Sequence, residues 1–64
     1  MKYYKYSDLA GSVMLSRDEV LAEYWDYWKE QMSSKYGSDS VLITEDNCIK
    51  DYMVLHWAEE IEID

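Results

Sequence analysis

The sequence predicts an all-α fold, a small compact domain of two main helices at about residues 17–36 and 45–58, with an N-terminal segment packed on them. The first stretch opens with a helix-capping signature and is apolar on one side and acidic on the other. The second follows a capping threonine and is apolar nearly all round. Its 64 residues predict a single domain, 1–64, because so short a chain buries only about 60% of its unfolded surface.

The N-terminal segment, residues 1–15, shows turn chemistry more clearly than any regular element. Ser7 and Asp8 are placed to cap a short turn over residues 9–10, and Gly11 breaks that turn. The apolar run at 13–15 should lie on the core. It fits a short strand or a helical turn equally well.

The first helix has clear start and stop signals. Ser16 and Glu19 form a capping box, in which each side chain bonds the backbone N–H of the other residue. Lys35 is favourable in the last turn, and Gly37 is expected to adopt the left-handed conformation just past the end. These signals predict a helix from about residue 17 to Tyr36.

The second helix should begin after Thr44, an N-cap, and run to residue 58. A helix that is apolar on two sides is usually covered on both. The second side must therefore meet the N-terminal segment or another molecule. The tail, 59–64, alternates in character and should fray or add a short strand. The predicted self-association residues on this outer side are Val54, Trp57 and Ile61.

Four carboxylates, Glu19, Glu23, Asp26 and Glu30, recur at spacings of four, three and four along the first helix. At about 100° per residue they fall within roughly 60° of one another, at intervals of about 4.5–6 Å along the axis. We call this set the acidic ridge. Like charges at this spacing cost a helix a few tenths of a kcal/mol per pair, which a basic partner would relieve. The predicted partner-binding residues are these four and the adjacent Tyr27.

Composition narrows the function classes. The chain is 48% apolar and 16% aromatic, unlike a disordered acidic tail. Its formal net charge of −8 argues against nucleic acid or an anionic membrane as a direct partner, and favours a basic protein surface. The alternative is that the acidity serves solubility alone.

The sequence predicts no enzyme, no cofactor and no metal site. Cys48 and His56 are the only candidates for a nucleophile and base, and on one helix they lie about 12 Å apart along the axis, beyond hydrogen-bond reach. One Cys and one His are too few for a zinc site. The lone cysteine, the polar start of the chain and the lack of a long apolar stretch predict a cytoplasmic protein without a membrane span.

Several segments together resemble small, mostly uncharacterised proteins of bacteriophages and prophages. They are the run 23–28, the pair Tyr36-Gly37, the run 45–52 and the triplet His56-Trp57-Ala58. The resemblance implies action in the cytoplasm of a host cell as an inhibitor of host defence, such as an anti-CRISPR protein, or of host DNA transactions. Some proteins of this kind present carboxylates where a nuclease or CRISPR effector would otherwise bind phosphates.

The leading hypothesis is therefore a nucleic-acid mimic whose acidic ridge binds the basic groove of a host protein, with Glu59, Glu60 and Glu62 extending that surface. Binding of this kind should depend strongly on salt. The alternative is a small structural protein that homodimerises, or docks a phage component, through the apolar face of the second helix.

Overall fold

The computed structural model describes residues 1–63, which form an α+β fold of two helices and a three-stranded antiparallel sheet in the order β2-β1-β3. The elements are β1 (Lys2–Asp8), β2 (Gly11–Ser16), α1 (Arg17–Tyr36), α2 (Glu45–His56) and β3 (Glu59–Glu62). The helices pack on one face of the sheet. The predictions of an all-α fold and of a purely helical domain are therefore wrong.

The N-terminal segment is a β-hairpin rather than a helical or irregular cover. Its strands pair from Tyr3 opposite Ser16 to Asp8 opposite Gly11. The predicted turn lies where the sequence places it, because the Ala10 N–H donates to Asp8 Oδ1 at 2.8 Å, but it connects two strands. Gly11, with φ of 122°, takes a conformation that other residues rarely adopt. Tyrosine favours strands, which supports β1.

Helix α1 begins and ends as predicted. The Glu19 N–H donates to Ser16 Oγ at 3.3 Å and the Ser16 N–H to Glu19 Oε1 at 3.0 Å, which completes the capping box. Gly37 has a positive φ of 97°, yet its ψ of 148° is extended. The prediction of a left-handed helical cap at Gly37 is therefore wrong in its ψ angle.

Helix α2 begins as predicted and ends two residues early. The Asn47 N–H donates to Thr44 Oγ1 at 3.2 Å. At the other end the Ala58 N–H donates to the Met53 carbonyl at 2.8 Å and the Trp57 N–H to that of Val54 at 3.5 Å. This is a Schellman motif, whose left-handed residue is usually glycine and is here Trp57.

The core lies between the helices and the helix side of the sheet. Four buried residues from three elements form its centre: Tyr4, Val20, Ile49 and Tyr52. The Trp28 indole N–H donates to Asp51 Oδ2 at 2.6 Å and links the two helices. The core thereby fixes α1 with one side inward and the acidic ridge outward.

The tail adds strand β3 to the free edge of β1, with Ile61 directly opposite Tyr3. Asp64, the last residue of the predicted tail, lies outside the described residues. Because α2 ends at His56, Val54 is on the helix, Trp57 is at its cap and Ile61 is on a strand. The prediction that these three residues share one helix face is therefore wrong.

Candidate partner-binding surfaces

The acidic ridge is exposed along the whole outer side of α1. Within residues 1–63, no lysine or arginine nitrogen lies within 4.0 Å of a ridge carboxylate. Carboxylates elsewhere do pair, as Glu60 does with Lys2 at 3.3 Å. Lys29, on the same helix, lies over the Trp25 ring with 6.0 Å between Nζ and the ring centroid. No lysine or arginine of the described residues therefore offsets the charge of the ridge by direct pairing.

Two ridge carboxylates also have structural roles. Hydrogen bonds from Ser16 hold Glu19 in the capping box and lower the pKa of its carboxyl group. Glu23 Oε2 accepts a hydrogen bond from the Tyr52 hydroxyl at 3.3 Å. Glu19 and Glu23 are thus held in position before any partner arrives.

The bond to Glu23 ends a short chain of hydroxyl groups. The oxygens of Tyr6 and Tyr52 lie 3.2 Å apart. Because the single proton of the Tyr52 hydroxyl goes to Glu23, Tyr6 is the donor to Tyr52. Burial, with the negative charge of Glu23 beside it, raises the pKa of Tyr52, so its hydroxyl stays protonated and remains a donor.

Asp26, Tyr27 and Glu30 form the free end of the ridge. Within the described part of the chain neither Asp26 nor Glu30 has a hydrogen-bond or ion-pair partner. Tyr27 is 60% exposed, and its ring lies 5.9 Å from that of Tyr24. An exposed aromatic side chain beside two free carboxylates is the arrangement most available to a partner on this helix.

A second exposed surface lies at the end of α2. Trp57 is 92% exposed and Val54 is 77% exposed. Together with Met53 and Ala58 they line an apolar depression of about 370 Å³. Helical spacing predicted that Val54 and Trp57 share this side, but the sequence has no signal of the left-handed backbone at Trp57, because residue type alone does not reveal it.

Cys48 and His56 do not form a reactive pair. Cys48 is buried, and desolvation raises the pKa of its thiol to about 11, so the thiolate is scarce at neutral pH. The His56 ring packs with its centroid 4.4 Å from those of both Tyr6 and Tyr52. Over residues 1–63 no group of three or more His, Cys, Asp or Glu side chains is placed to hold a metal ion.

Neither helix in that range combines the length and apolar character needed to cross a bilayer. Comparison with known proteins identifies no relative: no family model matches, and no curated protein or solved structure is significantly similar. The resemblance to phage proteins and the anti-CRISPR assignment gain no support from these comparisons.

Proposed function

We propose that this protein is a non-enzymatic binding protein whose acidic ridge docks onto a basic surface of another protein. The absence of ion pairs along the ridge in residues 1–63 is the observation that supports this proposal most directly. Four carboxylates held on one side of a helix repel one another, and a row of lysine or arginine side chains would relieve that repulsion.

The preferred partner surface is one that otherwise binds nucleic acid. The ridge places charges at intervals of about 4.5–6 Å along a rigid helix, as a phosphate backbone presents charges in a row. Because hydrogen bonds already hold Glu19 and Glu23, ordering these side chains costs less on binding. Asp26 and Glu30 remain free to adapt to the partner. Tyr27 would supply an aromatic contact beside them.

The net charge of −8 supports a protein partner over nucleic acid or an anionic membrane, since both of the latter would be repelled. We also propose the cytoplasm as the compartment. A lone, buried cysteine such as Cys48 is the usual state of this residue in a reducing environment.

The test is capture of the partner with the wild-type chain, followed by affinity measurement with the double variant Asp26→Lys/Glu30→Lys. Both positions are exposed, so the fold should survive. We expect affinity to fall at least tenfold, and wild-type binding to weaken steeply as salt rises and to compete with the partner's own nucleic acid. Glu23 is left intact because its loss would also remove the Tyr52 contact.

The matched control is Asp18→Lys/Asp39→Lys, which makes the same change in net charge at two exposed positions off the ridge. It should retain most of the affinity. Equal losses in both double variants would mean that only the overall charge matters. Wild-type affinity in Asp26→Lys/Glu30→Lys would refute the proposal.

A second candidate function is docking through the apolar end of α2, favoured by the exposure of Trp57 beside the depression. Exposed tryptophan is a common anchor of protein interfaces. The same capture experiment separates the two functions. Loss of the partner with Trp57→Gly, but not with Asp26→Lys/Glu30→Lys, would place the contact at α2.

A further inference from the structure

The sheet face turned away from the helices combines apolar side chains with serines and one lysine–glutamate pair. Side chains alternate along a strand, and Tyr4 and Tyr6 point toward the helices, so Tyr3 and Lys5 point the other way. The register then places Ile61 beside Tyr3, and Met14 beside Lys5, on this open face. Met14 is largely exposed, whereas Tyr3 and Ile61 are only partly covered by their neighbours.

Strand β3 has its apolar side on the open face. A strand that contributed to the core would instead turn its apolar side toward the helices. Its register puts Glu60 and Glu62 on the helix side, where Glu60 pairs with Lys2 at 3.3 Å. Ile61 is therefore on the open side, and Ile63 continues the pattern because its N–H donates to the Met1 carbonyl at 2.8 Å. A strand whose isoleucines turn away from its own core is expected to have another apolar surface against them.

The open face is also electrically neutral. Its charged strand residues are Lys5 and Glu59, which lie directly opposite each other on β1 and β3. The whole chain carries −8, so two copies repel one another over most of their surface. The open face is where two copies can approach without that repulsion.

We propose that the open sheet face is the interface of a homodimer, in which two copies pack sheet against sheet about a two-fold axis. Tyr3, Met14 and Ile61 would form its centre, at the separation of about 10 Å usual for packed sheets. A two-fold axis makes the surface self-complementary, so Lys5 of each copy lies near Glu59 of the other. A second copy of the chain satisfies this charge pairing, so it fits the open face better than a partner with a net charge on its surface.

The dimer does not depend on the proposed function of the acidic ridge. The ridge is exposed on α1, whereas the open face is the side of the sheet turned away from the helices, so dimerisation leaves two ridges exposed. Three strands about 4.8 Å apart and six residues long give a face of about 300 Å². A standard interface buries about 800 Å² per partner, so we expect weak association that depends on concentration.

The test is sedimentation equilibrium of the full chain from about 5 µM to about 1 mM, where a weak dimer becomes populated. We expect a reversible monomer–dimer equilibrium that Ile61→Lys weakens at least tenfold. The matched control is Val41→Lys, at a position 89% exposed in the connection between α1 and α2, which should dimerise as the wild type does.

A charge exchange keeps the test informative if Ile61→Lys disturbs folding. Lys5→Glu and Glu59→Lys should each weaken the homodimer, because each copy then carries like charges at these positions. An equimolar mixture of the two variants should associate again as a heterodimer, since opposite charges then meet across the axis. A wild-type monomer at every concentration would overturn the proposal. So would a dimer that survives Ile61→Lys and is lost in Trp57→Gly.

Discussion

Trp57 combines a backbone conformation suited to glycine with the exposure of a surface residue. Its φ of 55° and ψ of 39° are left-handed, and its side chain is 92% exposed. A left-handed conformation costs a residue with a Cβ atom about 1 kcal/mol or more. Little burial of the indole offsets that cost, which is why this residue suggests a binding role more strongly than its neighbours do.

Replacing Trp57 with glycine should therefore stabilise the monomer. We expect Trp57→Gly to raise the free energy of unfolding by about 0.5–1 kcal/mol, because glycine adopts this conformation without steric cost. Urea denaturation at low concentration measures the change. Trp57→Ala, which removes the indole but keeps the strain, is the control and should bring no gain. Destabilisation by Trp57→Gly would show that the indole supports Met53 and Ala58 in the fold.

For single residues, the sequence predicted which side chains are exposed better than it predicted which distant side chains they contact. Helical spacing identified the acidic ridge, and all four of its carboxylates are exposed. The structural role of Glu23 escaped notice because its donor, Tyr52, is 29 residues away on another helix. That of Glu19 was predicted, because both partners of a capping box lie within four residues.

Among the elements, α1 has the bounds that the sequence predicts, and its capping box depends on the ionised carboxyl group of Glu19. Hydrogen bonds from Ser16 lower the pKa of Glu19 below its ordinary value in the folded state. A lowered folded-state pKa means stability that is present above the unfolded-state pKa and lost as pH falls through the folded-state value. The start of α1 is therefore expected to weaken in acid.

The variant Glu19→Gln should lessen that loss. Glutamine still accepts the bond from the Ser16 N–H but carries no titrating proton in this range. We expect the melting temperature of the wild type to fall between about pH 5 and pH 3 more steeply than that of Glu19→Gln. Glu19→Ala, which removes the bond altogether, should be less stable than both at neutral pH. Identical pH profiles for wild type and Glu19→Gln would show that this cap does not contribute to acid sensitivity.

The β-hairpin was missed because its signals allow two interpretations. An aspartate followed three residues later by glycine fits both a helix cap with a break and a hairpin turn, as in Asp8 to Gly11. Tyr4 and Tyr6 alternate with Lys5 as a half-buried strand requires, but the period is short. The predicted α2 was two residues too long, because the left-handed residue that ends it is Trp57 and not the glycine that usually marks a helix end.

At the scale of the whole molecule, the error in fold class comes from pairing between distant parts of the chain. Strand β1 needs β3 as its second neighbour, and Tyr3 pairs with Ile61 near the opposite end of the sequence. Helix signals are local and can be read in a short window, whereas sheet pairing of this kind has no local signature. The fold thereby exposes two separate surfaces, the acidic ridge on α1 and the neutral sheet face turned away from the helices.

The excess negative charge should make the stability of the whole chain depend on salt. Charges totalling −8 repel more strongly in the compact state than in the extended unfolded chain, and salt screens that repulsion. We expect the melting temperature to rise between about 10 mM and 500 mM NaCl, since exposed ion pairs such as Lys2 with Glu60 lose little in return. Asp26→Lys/Glu30→Lys, in which each reversal adds two charges so that −8 becomes −4, should show a smaller rise. A melting temperature that falls with salt would mean that the ion pairs outweigh the repulsion, and that the unpaired ridge costs the free protein little.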